Sequence, residues 1–432
     1  MRQVYKDILD SGATVITERK SYFDSIAIGF WVKTGSANEP SDINGISHFI
    51  EHMLFKGTKK RSYLDIDKEI DIMGGALNAF TGNELTCFYT KVLAKNYERA
   101  IDLLTDIMFN SLFSASEIEK EKSVVLQEIM GAQDDPYDYV HDLFYKDFYG
   151  NSLYGNPILG TAETIRGFDR DKIIKYFNEY YIPKNIIVSV AGNIDHNKVV
   201  ESIDKFIKKF YKENNNAEPN NSSVNNSVIS GNLDNLTDVN KKISKNYGEF
   251  FHCKELEQIH FVIGFDGIKK TDKEYYIMEI LNTVLGGSVS SRLFQEVREK
   301  KGLAYSIYSN SVFHKSDGYL SIYAGVANDK FNTAKNVILD IVNELGENKI
   351  SEDDILNAKK HVSDSFLLGL ESSNNLMTRN ALNEIYYKKY ISKNQVLKKI
   401  EAVNGDLIFS LVKKIFSNKK SALITILGKD IQ

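Results

Sequence analysis

Ser25-Ile26-Ala27-Ile28-Gly29-Phe30 returns in altered form as His260-Phe261-Val262-Ile263-Gly264-Phe265, with the two glycines 235 positions apart. A second pair follows the same rule. Asn185-Ile186-Ile187-Val188-Ser189-Val190-Ala191-Gly192 resembles Ser421-Ala422-Leu423-Ile424-Thr425-Ile426-Leu427-Gly428, with closing glycines 236 positions apart. β-Branched runs that end on glycine read as strands, and short ones match by chance often enough that one pair would prove nothing. Two independent pairs at nearly one offset predict a duplicated domain of about 200 residues.

Working outward, residues 14–17, 25–33, 86–93 and 185–191 read as strands, and helices are expected after Ser62, Ser116 and Asp169. Ser62 with Asp65, and Ser116 with Glu119, have the spacing of a capping box. Strands and helices mixed in this way predict an α+β fold, two homologous domains each with an antiparallel sheet and packed helices. The full 432 residues exceed one ordinary core. Residues 212–245 are Asn/Ser-rich and poor in aromatics, so they read as a linker between residues 1–211 and 246–432.

Composition excludes several classes. Basic residues (54) nearly balance acidic ones (58), which argues against a nucleic-acid or other polyanion binder. With two cysteines, Cys87 and Cys253, there is neither a disulfide framework nor a four-thiolate zinc site. No apolar run reaches membrane-spanning length, and the first residues resemble neither a signal peptide nor a presequence. A reducing, cytoplasmic location is the expectation.

The chemistry concentrates in His48-Phe49-Ile50-Glu51-His52. Ile46, Phe49, Ile50, Met53 and Leu54 recur at helical spacing, Asn44 is the expected N-cap, and Gly57 supplies a stop. On a helix, His48 and His52 share a face and can grip one metal, with Glu51 beside it; H-x-x-E-H inverts the order of the zincin motif. A catalytic zinc takes three protein ligands and leaves a position for water. The helix expected from about Ser116 to Met130 offers Glu121 and Glu128, seven residues apart and so on one side. At helical pitch both fall into the arc between Val124 and the apolar residues Ile118, Val125 and Ile129. Carboxylates there need a partner or a metal. His252, Cys253 and His260 lie close in sequence but lack an evident fourth ligand, and His141, His196, His314 and His361 show no paired spacing.

These residues sit in longer blocks: HFIEHMLFKGT at 48–58, GGALNAFTGNELTCFYTKVL at 74–93, EKSVVLQEI at 121–129, NPILGTAETI at 156–165 and LGGSVSSRLFQEVREKKGLAYSIYS at 285–309. With them the chain resembles the pitrilysin/insulinase family of inverzincin metallopeptidases, nearest the branch of the mitochondrial processing peptidase β subunit. The resemblance implies a clamshell of two α+β halves around a chamber, one zinc ion per chain held by His48, His52 and Glu128, and Glu51 as general base. It implies that Glu121 supports the site without ligating, and that Asn78 and Ala79 bind a substrate strand. Arg298 and Tyr305 match a pair that reaches across the chamber to the substrate and the zinc site. The expected activity is endopeptidase cleavage of extended or unfolded peptides; the rival is a non-catalytic subunit or scaffold. Only Gly286-Gly287 stands where inactive partners in the family carry a long Gly-rich loop. A catalytic subunit is therefore expected, working as a homodimer or beside an inactive homologue.

Overall fold

The fold, a computed structural model, describes residues 4–215, 243–416 and 422–429. Most of the expected linker, 212–245, lies outside the described residues. The strands are β1 (Val4–Ile8), β2 (Thr14–Arg19), β3 (Ser25–Val32), β4 (Ala76–Thr81), β5 (Thr86–Leu93) and β6 (Ile186–Gly192), then β7 (Gly248–Cys253), β8 (Gln258–Asp266), β9 (Ala304–Phe313), β10 (Gly318–Ala327) and β11 (Leu423–Gly428). The helices of the first half are α1 (Ile46–Leu54), α2 (Tyr63–Ile72), α3 (Tyr97–Asn110), α4 (Ala115–Asp134), α5 (Pro136–Tyr149), α6 (Ala162–Arg166), α7 (Arg170–Tyr180) and α8 (His196–Asn215). Those of the second are α9 (Tyr275–Leu285), α10 (Phe331–Glu347), α11 (Glu352–Gly369), α12 (Ser373–Leu382), α13 (Lys393–Glu401) and α14 (Gly405–Phe416). Among the described residues no helix is long and apolar enough to cross a membrane.

The expected α+β fold of two similar domains is present. One sheet runs β1-β2-β6-β3-β5-β4 and the other β7-β11-β8-β10-β9. The two runs that announce the duplication, β3 with β6 and β8 with β11, are antiparallel neighbours inside their sheets. Neither sheet is purely antiparallel, because β2 pairs parallel with β6 and β7 parallel with β11. Long connections between those partners leave the chain free to enter in either direction.

Alternation in β3 explains its continuous burial. Ile26, Ile28, Phe30 and Val32 enter a core with α1, α3 and α7, whereas Ala27 and Trp31 join Leu376, Met377 and Ala381 of α12 on the other face. Gly29 lies on that second face, where a Cβ would come within 2.4 Å of the Met377 sulfur. Its counterpart Gly264 in β8 does the same for α5, since a Cβ there would come within 2.3 Å of the Phe144 ring. The repeated glycine is the socket for a helix laid over the sheet.

Those two helices come from the opposite halves of the chain. The compact units are residues 1–129, 156–241 and 369–390, and residues 130–155, 242–368 and 391–432. Boundaries at 211 and 246 separate the sheets but miss this exchange, because packing of a helix on a distant strand leaves no local pattern to read.

Candidate metal centre

The helix α1 starts differently from the expectation. Its N-cap is Gly45, in the left-handed region at φ 91°, and Asn44 does not cap it. Buried Glu39 does that work from outside the helix. Its carboxylate accepts from Gly45 N–H at 2.6 Å, Ser47 N–H at 2.8 Å and Asn44 Nδ2 at 2.8 Å. Burial pushes the Glu39 carboxyl above its ordinary pKa, while the Ser47, Gly45 and Asn44 hydrogen bonds oppose that. An anion at the positive end of a helix is well placed electrostatically. Ile46, Phe49, Ile50, Met53 and Leu54 are buried, which turns the polar residues of α1 toward α4 and β4.

In α4 the buried residues are Ile118, Glu121, Val125 and Ile129, one stripe in which a carboxylate takes an apolar place. The helix begins at Ala115 rather than Ser116 and runs on to Asp134; Ser114 Oγ, not Ser116, accepts from the first turn at Glu117 N. Glu121 is buried as expected. Glu128 sits at the margin with 41 % of its side chain exposed, and Val124 faces out.

The donor atoms of His48, His52 and Glu128 all lie within 4.8 Å of one another. Glu128 Oε2 is 3.4 Å from His52 Nε2 and 3.8 Å from His48 Nε2. That oxygen is buried without a hydrogen-bond partner. Three lone-pair donors that converge with no proton shared between them suit a cation, and two imidazoles with one carboxylate suit zinc. His52 Nδ1 donates to Glu121 Oε1 at 2.8 Å, which directs the Nε2 lone pair toward the cluster. Glu121 Oε2 in turn accepts from Lys56 Nζ at 2.6 Å. Burial pushes the His48 imidazole down to about 3, a neutral ring with lone pairs to offer. For His52, burial acts downward, but the Glu121 hydrogen bond and the Glu128, Glu121 and Glu51 charges outweigh it and raise the ring.

Glu51 lies beside the cluster. Burial raises its carboxyl; the Thr81 hydrogen bond and His52 lower it in part, and Glu128 raises it again. A carboxyl raised in this way holds a proton more readily than an exposed glutamate does. Asn78 and Ala79 lie on β4, the outer strand of the first sheet. Ala79 N–H donates to the neighbouring Asn78 Oδ1 at 2.8 Å and not across to β5, so a strand donor is available at the free edge. Arg298 and Tyr305 belong to the second unit. The Arg298 guanidinium stands 5.5 Å from the Tyr305 ring centre. Tyr305 is 78 % exposed, at a point where the β9 register skips from Ala304 to Ser306. Such a bulge re-aims a side chain out of the ladder.

Four of the six other histidines hydrogen-bond within the protein: His252 with Asp147, His260 with Tyr323, His141 with Tyr308 and His196 with Thr17. Among the described residues His48, His52 and Glu128 form the only group of three or more His, Cys, Asp or Glu side chains that could hold a metal ion. Sequence reasoning missed Thr81, Glu39 and Lys56, which are chemically ordinary residues until the fold brings them together.

The family model described as insulinase (peptidase family M16) matches residues 14–162, which hold the whole cluster, and that described as the M16 inactive domain matches 167–362. A zinc protease of Bacillus subtilis, YmxG, is 38% identical over 94% of both chains. The chain belongs to the insulinase (M16) family of peptidases. A zinc protease of Streptomyces coelicolor is 34% identical over 97% of this chain and 88% of its own. Among solved structures, a protease from Helicobacter pylori superposes with a TM-score of 0.86 at 20% identity, covering 98% of this chain and 99% of its own. The M16 inactive-domain protein of Pseudomonas fluorescens gives 0.85 at 17% identity, covering 100% and 98%. Both share the fold. The M16 family match and the relatives named zinc protease make this a chain of zinc-peptidase type.

Proposed function

We propose that the protein is a zinc endopeptidase of extended peptides, with His48, His52 and Glu128 as metal ligands and Glu51 as general base. The observation that carries the reading is the unpartnered Glu128 oxygen facing both Nε2 atoms, with Glu51 one residue from His52. A zinc ion held there supplies a Lewis acid for a peptide carbonyl and lowers the pKa of water. Glu51 takes the proton of the attacking water and delivers it to the leaving amine nitrogen. A peptide segment adds to the β4 edge and takes over the Ala79 N–H that Asn78 now holds. Arg298 and Tyr305 bind the substrate and oppose charge on the carbonyl oxygen; their support is the resemblance and their exposed pairing. A Tyr305→Phe protein with unchanged kcat and KM removes Tyr305 from that role.

The test is cleavage of a quenched fluorescent peptide of about ten residues, long enough to lie along one strand. Wild type is expected to cleave, to stop with a chelator and to recover with zinc, while Glu51→Gln falls by about a hundred-fold or more. Turnover that survives both chelator and Glu51→Gln overturns the reading.

A further inference from the structure

The hydroxyl of Thr81 donates to Glu51 Oε2. Thr81 is the last residue of β4, two places beyond Ala79, and its backbone is held from several directions. Thr81 pairs with Thr86 across the hairpin, and Gly82 N–H donates to Leu85 O at 2.8 Å. A separate segment clamps the turn from outside. Ser36 N–H donates to Gly82 O at 3.2 Å, Ala37 N–H to Asn83 O at 2.8 Å, and Asn83 Nδ2 to Ser36 Oγ at 3.0 Å. The approach is so close that a Cβ at Gly35 would lie 2.1 Å from Gly82 O. A hydroxyl on so restrained a turn holds its partner to one position. With Oε2 engaged, Oε1 is the oxygen left to take a proton.

We propose that Thr81 is a positioning residue for Glu51: its hydroxyl fixes the carboxylate and ties it to the strand on which a peptide docks. This rests on Glu51 being the base. Glu51 sits on a short helix packed against β4, and a carboxylate has torsions that α1 alone does not restrain. A base displaced by a fraction of an ångström loses rate while substrate affinity is kept, because the edge N–H and the metal ligands are untouched.

The experiment compares wild type, Thr81→Val, Thr81→Ser and Glu51→Gln for kcat, KM, zinc content after dialysis and thermal midpoint. Thr81→Val is expected to lose about ten-fold or more in kcat, with KM within about two-fold. Its zinc content and midpoint should match wild type, and Thr81→Ser should recover most of the rate. Wild-type kcat in Thr81→Val overturns the proposal, as does a Thr81→Ser protein equally impaired, which would assign the effect to the methyl group. Loss of zinc in Thr81→Val would make Thr81 a structural support and also overturns it. If Glu51→Gln keeps full turnover, the base assignment fails first and takes the role of Thr81 with it; a slow Thr81→Val beside a nearly inactive Glu51→Gln separates the two.

Discussion

At His52 the two ring nitrogens do different work: Nδ1 is occupied by Glu121, and Nε2 faces Glu128 and His48. The proton on Nδ1 is what makes Nε2 a lone pair, so under the proposed zinc assignment Glu121 would act on the metal through the ring. Glu121→Gln keeps the size of the side chain but removes its charge, and Lys56 loses an anionic partner. Zinc affinity is expected to fall about ten- to a hundred-fold, read by competition with a chromophoric chelator; unchanged affinity would show that Glu121 does not orient the ring. Helical spacing put His48 and His52 on one face with Glu51 beside them, and Glu121 with Glu128 on one side of a second helix; the choice of Glu128 as ligand and Glu121 as support came from the family resemblance. Thr81 was not legible in the sequence. A threonine at a strand end carries no pattern, and its meaning comes from a helix 30 residues away.

Among the elements, α1 depends on a side chain that precedes it. Glu39 satisfies two backbone N–H groups at the start of the helix and the Asn44 amide, all in a buried setting. Glu39→Ala leaves those donors unpaired and is expected to cost about 3 kcal/mol, measured by urea unfolding of the metal-free protein. A loss below about 0.5 kcal/mol, the range of neutral surface substitutions, would contradict the role. The sequence pointed to Asn44 because Asn is a favoured cap, whereas glutamate acting from six residues upstream has no rule. Strand β4 escaped for a different reason. Its residues alternate between exposed and half-buried, so it lacks the apolar run that marked β3 and β6. The capping boxes gave a mixed record: Ser62 with Asp65 is realised, and Asp169 caps α7, but the start of α4 uses Ser114.

Across the whole molecule, duplication was readable and exchange was not. Each of the two signature glycines, Gly29 and Gly264, is a repeated letter in the sequence; only the fold shows a helix from the other half seated over it. The first unit therefore needs residues far along the chain. Without α12, Ala27, Trp31, Ile187 and Ala191 would lose their cover of Leu376, Met377 and Ala381, and Ser189 Oγ would lose its bond to Met377 O. A protein of residues 1–211 alone is expected to show no cooperative heat-absorption peak in calorimetry and to bind a hydrophobic dye. A sharp transition with native near-ultraviolet dichroism would show that the first half folds without its borrowed helix.

In the proposed centre His48, His52 and Glu128 hold zinc while Glu51 does not. Elemental analysis after exhaustive dialysis, run on wild type, Glu51→Gln and His52→Ala, tests it directly. About one zinc per chain is expected in wild type and Glu51→Gln, and almost none in His52→Ala. Stoichiometric zinc retained by His52→Ala, or zinc lost from Glu51→Gln alone, would contradict the assignment.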